Sequence, residues 1–309
     1  MIFIRKNNFF VFLVCVFSLS VFKSCTESGC TDSTAENYNS NATEDDGSCI
    51  VLGCTDSSAS NYNPNATDDN DSCIYSCLEP EYHCLEINFN HFVDNQEIIY
   101  GNNNIFYENN AGNNYSVRRI LYVLSDIMLF FEDGTNLLLD EFMFINTDDP
   151  QTLTQTIYNL PALCAGISFT FGFSSENNND NQYIDAENNF HSLMLWPNTN
   201  GVNPAFQGGY HYMKLEGKYI DLDGNQNFYN NHTGPTNGSD FSFYQFIFDF
   251  PGEGFMGTAN SIFINMNINN WYNDPIYDFN IFGSGIMDNM EAQWNLYQNA
   301  GDIFSVQIN

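Results

Sequence analysis

The sequence predicts an all-β protein, a β-sandwich of Ig-like or related type preceded by a small disulfide-rich repeat region. Three observations carry this. Apolar and polar residues alternate with a period of two along segments beyond residue 84, the spacing at which successive strand side chains face opposite ways. Asp133-Gly134 and Asp223-Gly224 separate apolar runs, as hairpin turns do. Ahead of these strands a cysteine-bearing motif occurs twice, with Cys30 and Cys49 recurring 24 positions later as Cys54 and Cys73.

Residues 1–24 place Arg5 and Lys6 before an apolar run that begins at Phe9 and continues to Phe22. The run is short of the roughly 20 apolar residues a membrane helix needs and has the layout of a secretory signal. Cys25 follows as the candidate lipidated residue, with ordinary signal cleavage nearby as the alternative. The expected location is outside the cytoplasm: an outer-membrane or cell-surface lipoprotein held through a lipid anchor, or a periplasmic or secreted protein.

Residues 25–76 hold the repeats. Gly29-Cys-Thr-Asp32, Asn37-Tyr-Asn39 and Asn41-Ala-Thr43 before Cys49 return as Gly53-Cys-Thr-Asp56, Asn61-Tyr-Asn63 and Asn65-Ala-Thr67 before Cys73. Each copy offers one tyrosine and little else to bury, against a chain entropy of about 1–2 kcal/mol per residue. In an oxidising compartment the shared spacing predicts Cys30–Cys49 and Cys54–Cys73, each worth roughly 3 kcal/mol. Two readings follow for Glu44-Asp45-Asp46 and Asp68-Asp69-Asn70-Asp71: a calcium staple of hard oxygen donors, or a plain spacer. Cys77 and Cys84 flank the linker as further disulfide candidates, and His83 between them is expected in solvent. Cys164 is either a buried thiol or a partner for one of them.

Residues 77–309 are read as one β-domain. Leu85, Ile87, Phe89, His91 and Val93 alternate with Glu86, Asn88 and Asn90, and Ile167, Phe169, Phe171 and Phe173 alternate with Ser168, Thr170 and Gly172, as half-buried strands do. The best helical stretch is Glu291-Ala-Gln-Trp-Asn-Leu-Tyr297. A sandwich fits these elements, and a closed barrel is the alternative.

Once the leader is set aside, four basic residues face 38 acidic ones. Such a chain repels phosphate backbones, which excludes nucleic acid as a partner and favours cations. No Gly-x-Ser-x-Gly or His-Glu-x-x-His is present, so a hydrolase has no motif to rest on, and no catalytic residue is assigned.

Candidate ligands gather between 190 and 232, where three of the five histidines lie. The text runs His191-Ser-Leu-Met194-Leu-Trp196-Pro197, then Gly208-Gly209-Tyr210-His211-Tyr212-Met213-Lys214, then Asn231-His232-Thr233-Gly234. Imidazole suits a late first-row metal better than magnesium or calcium. His191 and Trp196 lie five apart and cannot share one face of a regular element, so an irregular loop after Pro197 has to bring them together. His211 is expected on one strand face with Met213 and Leu215, either as a further ligand or as a core histidine. His91 is a reserve ligand, with a hydrogen-bonded core histidine as the commoner outcome. Met194 and Met213 read as core filler.

This stretch, with the strand-like Ser116-Val-Arg-Arg-Ile-Leu-Tyr-Val-Leu-Ser-Asp-Ile-Met128 and the closing segment from Met287-Asp-Asn-Met290 to Phe304, resembles the MbnP-like family of methanobactin-associated copper-binding proteins. The resemblance covers roughly residues 85–309. It implies copper held by two histidines and a tryptophan oxidised to kynurenine, in some relatives by a dihaem peroxidase-like partner. Carried onto this chain, the implied set is His191, His232 and Trp196. The competing reading is a structural or adhesive cell-surface lipoprotein in which the repeats are a stalk.

Overall fold

The computed structural model describes residues 26–57, 59–74, 84–101, 107–139, 141–158, 160–161, 163–238, 244–250 and 261–308. The leader, Cys25, Cys77 and His83 lie outside the described residues. Contacts divide the chain into a unit ending at Ile74 and a unit beginning at Tyr75. Among the described residues no helix is long and apolar enough to cross a membrane.

In the first unit each repeat closes its own disulfide, Cys30–Cys49 and Cys54–Cys73. The motif residues explain themselves. Asn37 grips the far segment with both ends of its amide, accepting from Ile50 N and donating to Ser48 O, and Asn61 does the same with Ile74 and Ser72. A Cβ on Gly29 or Gly53 would press on Asn39 or Asn63 at 3.2 or 3.0 Å. Asp45 and Asp69 accept the backbone N–H two residues on, closing short turns. The tyrosines are not the buried residues: Tyr38 and Tyr62 are exposed, and Cys30, Ala35 and Val51 are packed together instead. A ring of that size cannot be covered by a unit this small, whereas a disulfide and a methyl group can.

The second unit is a sandwich of two separate sheets, not a closed barrel. Its strands are β1 (Leu85–Val93), β2 (Asn114–Phe131), β3 (Phe142–Asn146), β4 (Thr154–Ile157), β5 (Cys164–Phe171), β6 (Met213–Ile220), β7 (Gln226–Thr233), β8 (Tyr244–Asp249), β9 (Ser261–Asn267) and β10 (Phe304–Ile308). Helices α1 (Phe190–Met194) and α2 (Met290–Asn299) complete it. The larger sheet runs β7-β6-β2-β5-β8, with β3 and two short strands also paired to β2; the smaller runs β4-β1-β9-β10. The alternation of β1 survives intact, with Leu85, Ile87, Phe89, His91 and Val93 buried. Across the interior Tyr122 meets Phe304 and Phe169 meets it edge-on.

One local expectation changes. Strand β5 is buried on both faces, Ser168 and Thr170 included, because it runs between β2 and β8 and carries hydroxyls short enough to be covered. Both Asp-Gly hairpins form as expected, through three-residue connections in which Gly134 and Gly224 take positive φ and donate back to Phe131 and Asp221. Cys164 is a free, buried thiol, which removes it as a disulfide partner. Cys84 is itself disulfide-bonded.

Candidate functional site

The 190–234 stretch is shaped by a return of the chain. Leu195 bridges Tyr210, Trp196 N donates to Gly209 O at 2.8 Å, Gly208 N donates to Pro197 O at 3.0 Å, and Asn198 bridges Gln207. This irregular hairpin carries Trp196 back onto the residue that follows it. The indole is fully buried, its Nε1 donates to Ala205 O at 2.9 Å, and its ring lies 4.7 Å from that of His211. Gly234 sits under the other side. A Cβ there would stand 2.4 Å from Trp196 Cε3, so only glycine lets the indole seat.

His211 is therefore the histidine beside Trp196. It precedes β6, so the strand alternation does not reach it, and its ring meets that of His232 edge-on at 5.2 Å. His232 comes from β7, where it is paired opposite Lys214. Both rings have a defined proton. His211 Nδ1 lies 2.9 Å from Met194 O, and a carbonyl can only accept, so Nδ1 carries the hydrogen. Burial, with Lys214 and His232 nearby, pushes the His211 pKa well down, which keeps the ring neutral. Its Nε2 is then a lone pair, buried and without a hydrogen-bond partner. His232 Nε2 lies 2.9 Å from Glu216 Oε1 and donates to that carboxylate, which leaves Nδ1 as the ring's other nitrogen.

Glu216 is fixed in turn. Arg119 donates to both its oxygens, through Nε to Oε2 at 2.7 Å and Nη2 to Oε1 at 3.1 Å, and Arg118 adds Nη1 to Oε2 at 3.0 Å. Burial alone would raise this carboxyl, but the bonds from His232 and Arg119 outweigh it and hold the group well below the usual range. Lys214 donates to Leu193 O, and burial lowers its ammonium to about 8. Behind the pair, Gln293 of α2 donates to His232 O at 2.7 Å.

The other ligand candidates lie elsewhere. The Tyr210 hydroxyl accepts Tyr183 N–H and lies 2.9 Å from His191 Nδ1. His191 thus joins the Tyr210 aromatic cluster; among the described ring contacts none joins it to His211 or His232. His91 packs between Tyr100 and Tyr122, bonds Tyr122 Oη at 3.2 Å, and burial drives its pKa down to about 3. Met194 and Met213 are buried, as core filler is. Sequence reasoning missed Glu216, Arg118, Arg119 and Gly234.

Chemically, the buried His211 ring offers one nitrogen without a hydrogen-bond partner, and the half-buried His232 ring stands edge-on beside it. Among the described residues no group of three or more His, Cys, Asp or Glu side chains is placed to hold a metal. The indole adds no lone pair, since its one nitrogen is an N–H donor.

A family model described as MbnP matches residues 82–288. Among solved structures, MbnP from Methylosinus trichosporium is similar at 11% identity with a TM-score of 0.46, over 74% of this chain and 99% of that one. No curated protein sequence matches.

Proposed function

The chain belongs to the MbnP family, and we propose that it is an exported copper-binding protein whose ion is held by His211 Nε2 and His232 Nδ1, with Trp196 packed beside it. The observation that carries this reading is the buried, partnerless Nε2 of His211 on a ring whose centre lies 5.2 Å from that of a second imidazole. A buried polar atom without a partner costs about 1–3 kcal/mol, and a metal bond would remove that cost. Neutral imidazoles hold copper more tightly than the neighbouring divalent metals. His211 thus takes the place that the family resemblance gives to His191. The two disulfides fit export, and Cys25 is assigned as the lipid anchor.

Trp196 is assigned as the residue oxidised to kynurenine by a dihaem peroxidase-like partner. Its contact with His211 means that a new carbonyl and aryl amine would form next to the metal.

Metal analysis and cuprous-ion competition on the exported protein test the site. His211→Ala and His232→Ala are expected to lose at least about a hundredfold in affinity, and His91→Ala and His191→Ala to keep it. Intact mass tests the oxidation of Trp196. If both His211→Ala and His232→Ala retain copper, the site is wrong, and the structural or adhesive reading of the chain replaces it.

A further inference from the structure

The two repeats follow one another without a linker. Cys49 closes the first disulfide, and Ile50 is held within the first repeat, its N–H donating to Asn37 Oδ1 at 2.8 Å and its carbonyl accepting Glu36 N–H at 2.9 Å. The next residue already belongs to the second repeat. Val51 N donates to Thr67 Oγ1 at 2.9 Å, and Val51 O accepts the N–H groups of Thr67 at 2.8 Å and Asp68 at 3.3 Å. Glu27, 24 positions earlier, makes the same three bonds with Thr43 and Glu44 at the head of the first repeat. Leu52-Gly53 then pairs with Asp68-Asp69 as Ser28-Gly29 pairs with Glu44-Asp45.

Side chains cross the same seam. Val51 is gripped by the second repeat through its backbone, yet its side chain packs in the first, against Cys30 and Ala35, and is only 7% exposed. Thr67 of the second repeat shares its hydroxyl hydrogen between Asp68 Oδ2 at 2.9 Å and Cys49 O of the first at 3.1 Å. A flexible joint needs residues whose backbone can turn without breaking a contact, and every residue from Cys49 to Val51 is engaged. We propose that the repeats form one interlocked, stiff spacer with no hinge between them, the first repeat being completed by the second. Tandem units that share a core only with their neighbours gain stability in this way. The dependence has a direction, because the first repeat borrows Val51 while the buried Cys54, Ala59 and Cys73 of the second are its own.

Backbone hydrogen exchange of the full exported chain tests this, read separately in the two repeats. Val51→Ala takes methyl groups out of the first repeat's core and is expected to speed exchange at Glu36 and Asn39 about tenfold. Leu52→Ala, at an exposed side chain next door, should leave those amides unchanged. Cys54→Ser with Cys73→Ser is expected to speed exchange in both repeats, and Cys30→Ser with Cys49→Ser to loosen the second repeat less than the first. Should the Cys54 and Cys73 pair not be exported, Thr67→Val cuts the same seam at Val51 N and Cys49 O and should move the first repeat's amides the same way. Residual dipolar couplings of the N–H bonds in both repeats should fit a single alignment tensor. Two unlike tensors, or amides of the first repeat that respond neither to Val51→Ala nor to changes in the second repeat, overturn the proposal and leave two beads on a string. A second repeat that loosens as much as the first on loss of Cys30 and Cys49 overturns its direction.

Discussion

Gly234→Ala isolates the clamp on Trp196. The backbone φ at 234 is not in the left-handed region, so an added methyl brings steric contact without backbone strain. That methyl would stand 2.4 Å from Cε3 and 2.5 Å from Cζ3, and carbon contacts relax at about 3.5–4.0 Å, so the indole has to retreat by about 1 Å. It cannot do so freely, because its Nε1 is bonded to Ala205 O and His211 lies 4.7 Å away. Overpacking of this kind costs about 1–3 kcal/mol. For a unit of this size, about 2 kcal/mol lowers Tm by roughly 4–8 °C. Thermal and urea unfolding measure the cost, and cuprous-ion competition measures the accompanying loss at His211. Trp196→Phe in the same chain should recover part of the stability, giving a coupling energy of about 1 kcal/mol. As a control, Gly224→Ala carries the strain of a positive φ in open space and should leave copper affinity alone. If Gly234→Ala is neutral in stability and in copper affinity, Trp196 is not held as argued.

Three further outcomes follow from buried groups. The folded-state pKa of His91, about 3, lies below its unfolded value near 6.5, so the unfolded chain binds the extra proton first. Its contribution to stability is complete above pH 6.5 and is lost as pH falls toward 3; His91→Gln, which does not titrate, should flatten that limb by up to one proton in stability-versus-pH curves. Replacing Cys54 and Cys73 together by serine removes about 3 kcal/mol from a repeat with little else to hold it, and limited proteolysis should cut that repeat while the β-domain keeps its own transition. In the same assay, loss of protection on calcium chelation would assign the acidic turns calcium, and no change would leave them a spacer. Burial pushes the Cys164 thiol up to about 11, so iodoacetamide should label it only on unfolding.

The parts of the fold legible in the sequence are those set by near neighbours. Alternation along β1, the two Asp-Gly hairpins and the repeat disulfides depend on residues a few positions apart or on an explicit copy. The stretch was legible, and which of its side chains meet was legible only in part. The implied set takes His191 and leaves His211 open as a further ligand, yet spacing along the chain says nothing of the return through residues 195–210 that lays Trp196 on His211. Nor does it reveal the register of β6 on β7, which brings the residue opposite Lys214 to the ring of His211.

One signal for the missing residues was present in the composition. A chain with 38 acids keeps four bases beyond its leader, and it places two in Arg118-Arg119 and two in Lys214-Leu-Glu-Gly-Lys218. Cations that scarce have no general solubilising role on so acidic a surface. Two short basic segments with one acid between the lysines read most simply as a local ion cluster around that acid. Strand alternation then puts Lys214, Glu216 and Lys218 on one face, and the pairing of β2 with β6 sets Arg119 directly opposite Glu216. Only the partner of the acid's remaining lone pair, His232, needed the three-dimensional structure to be found. That partner ties the ion cluster of β2 and β6 to the imidazole that stands beside His211.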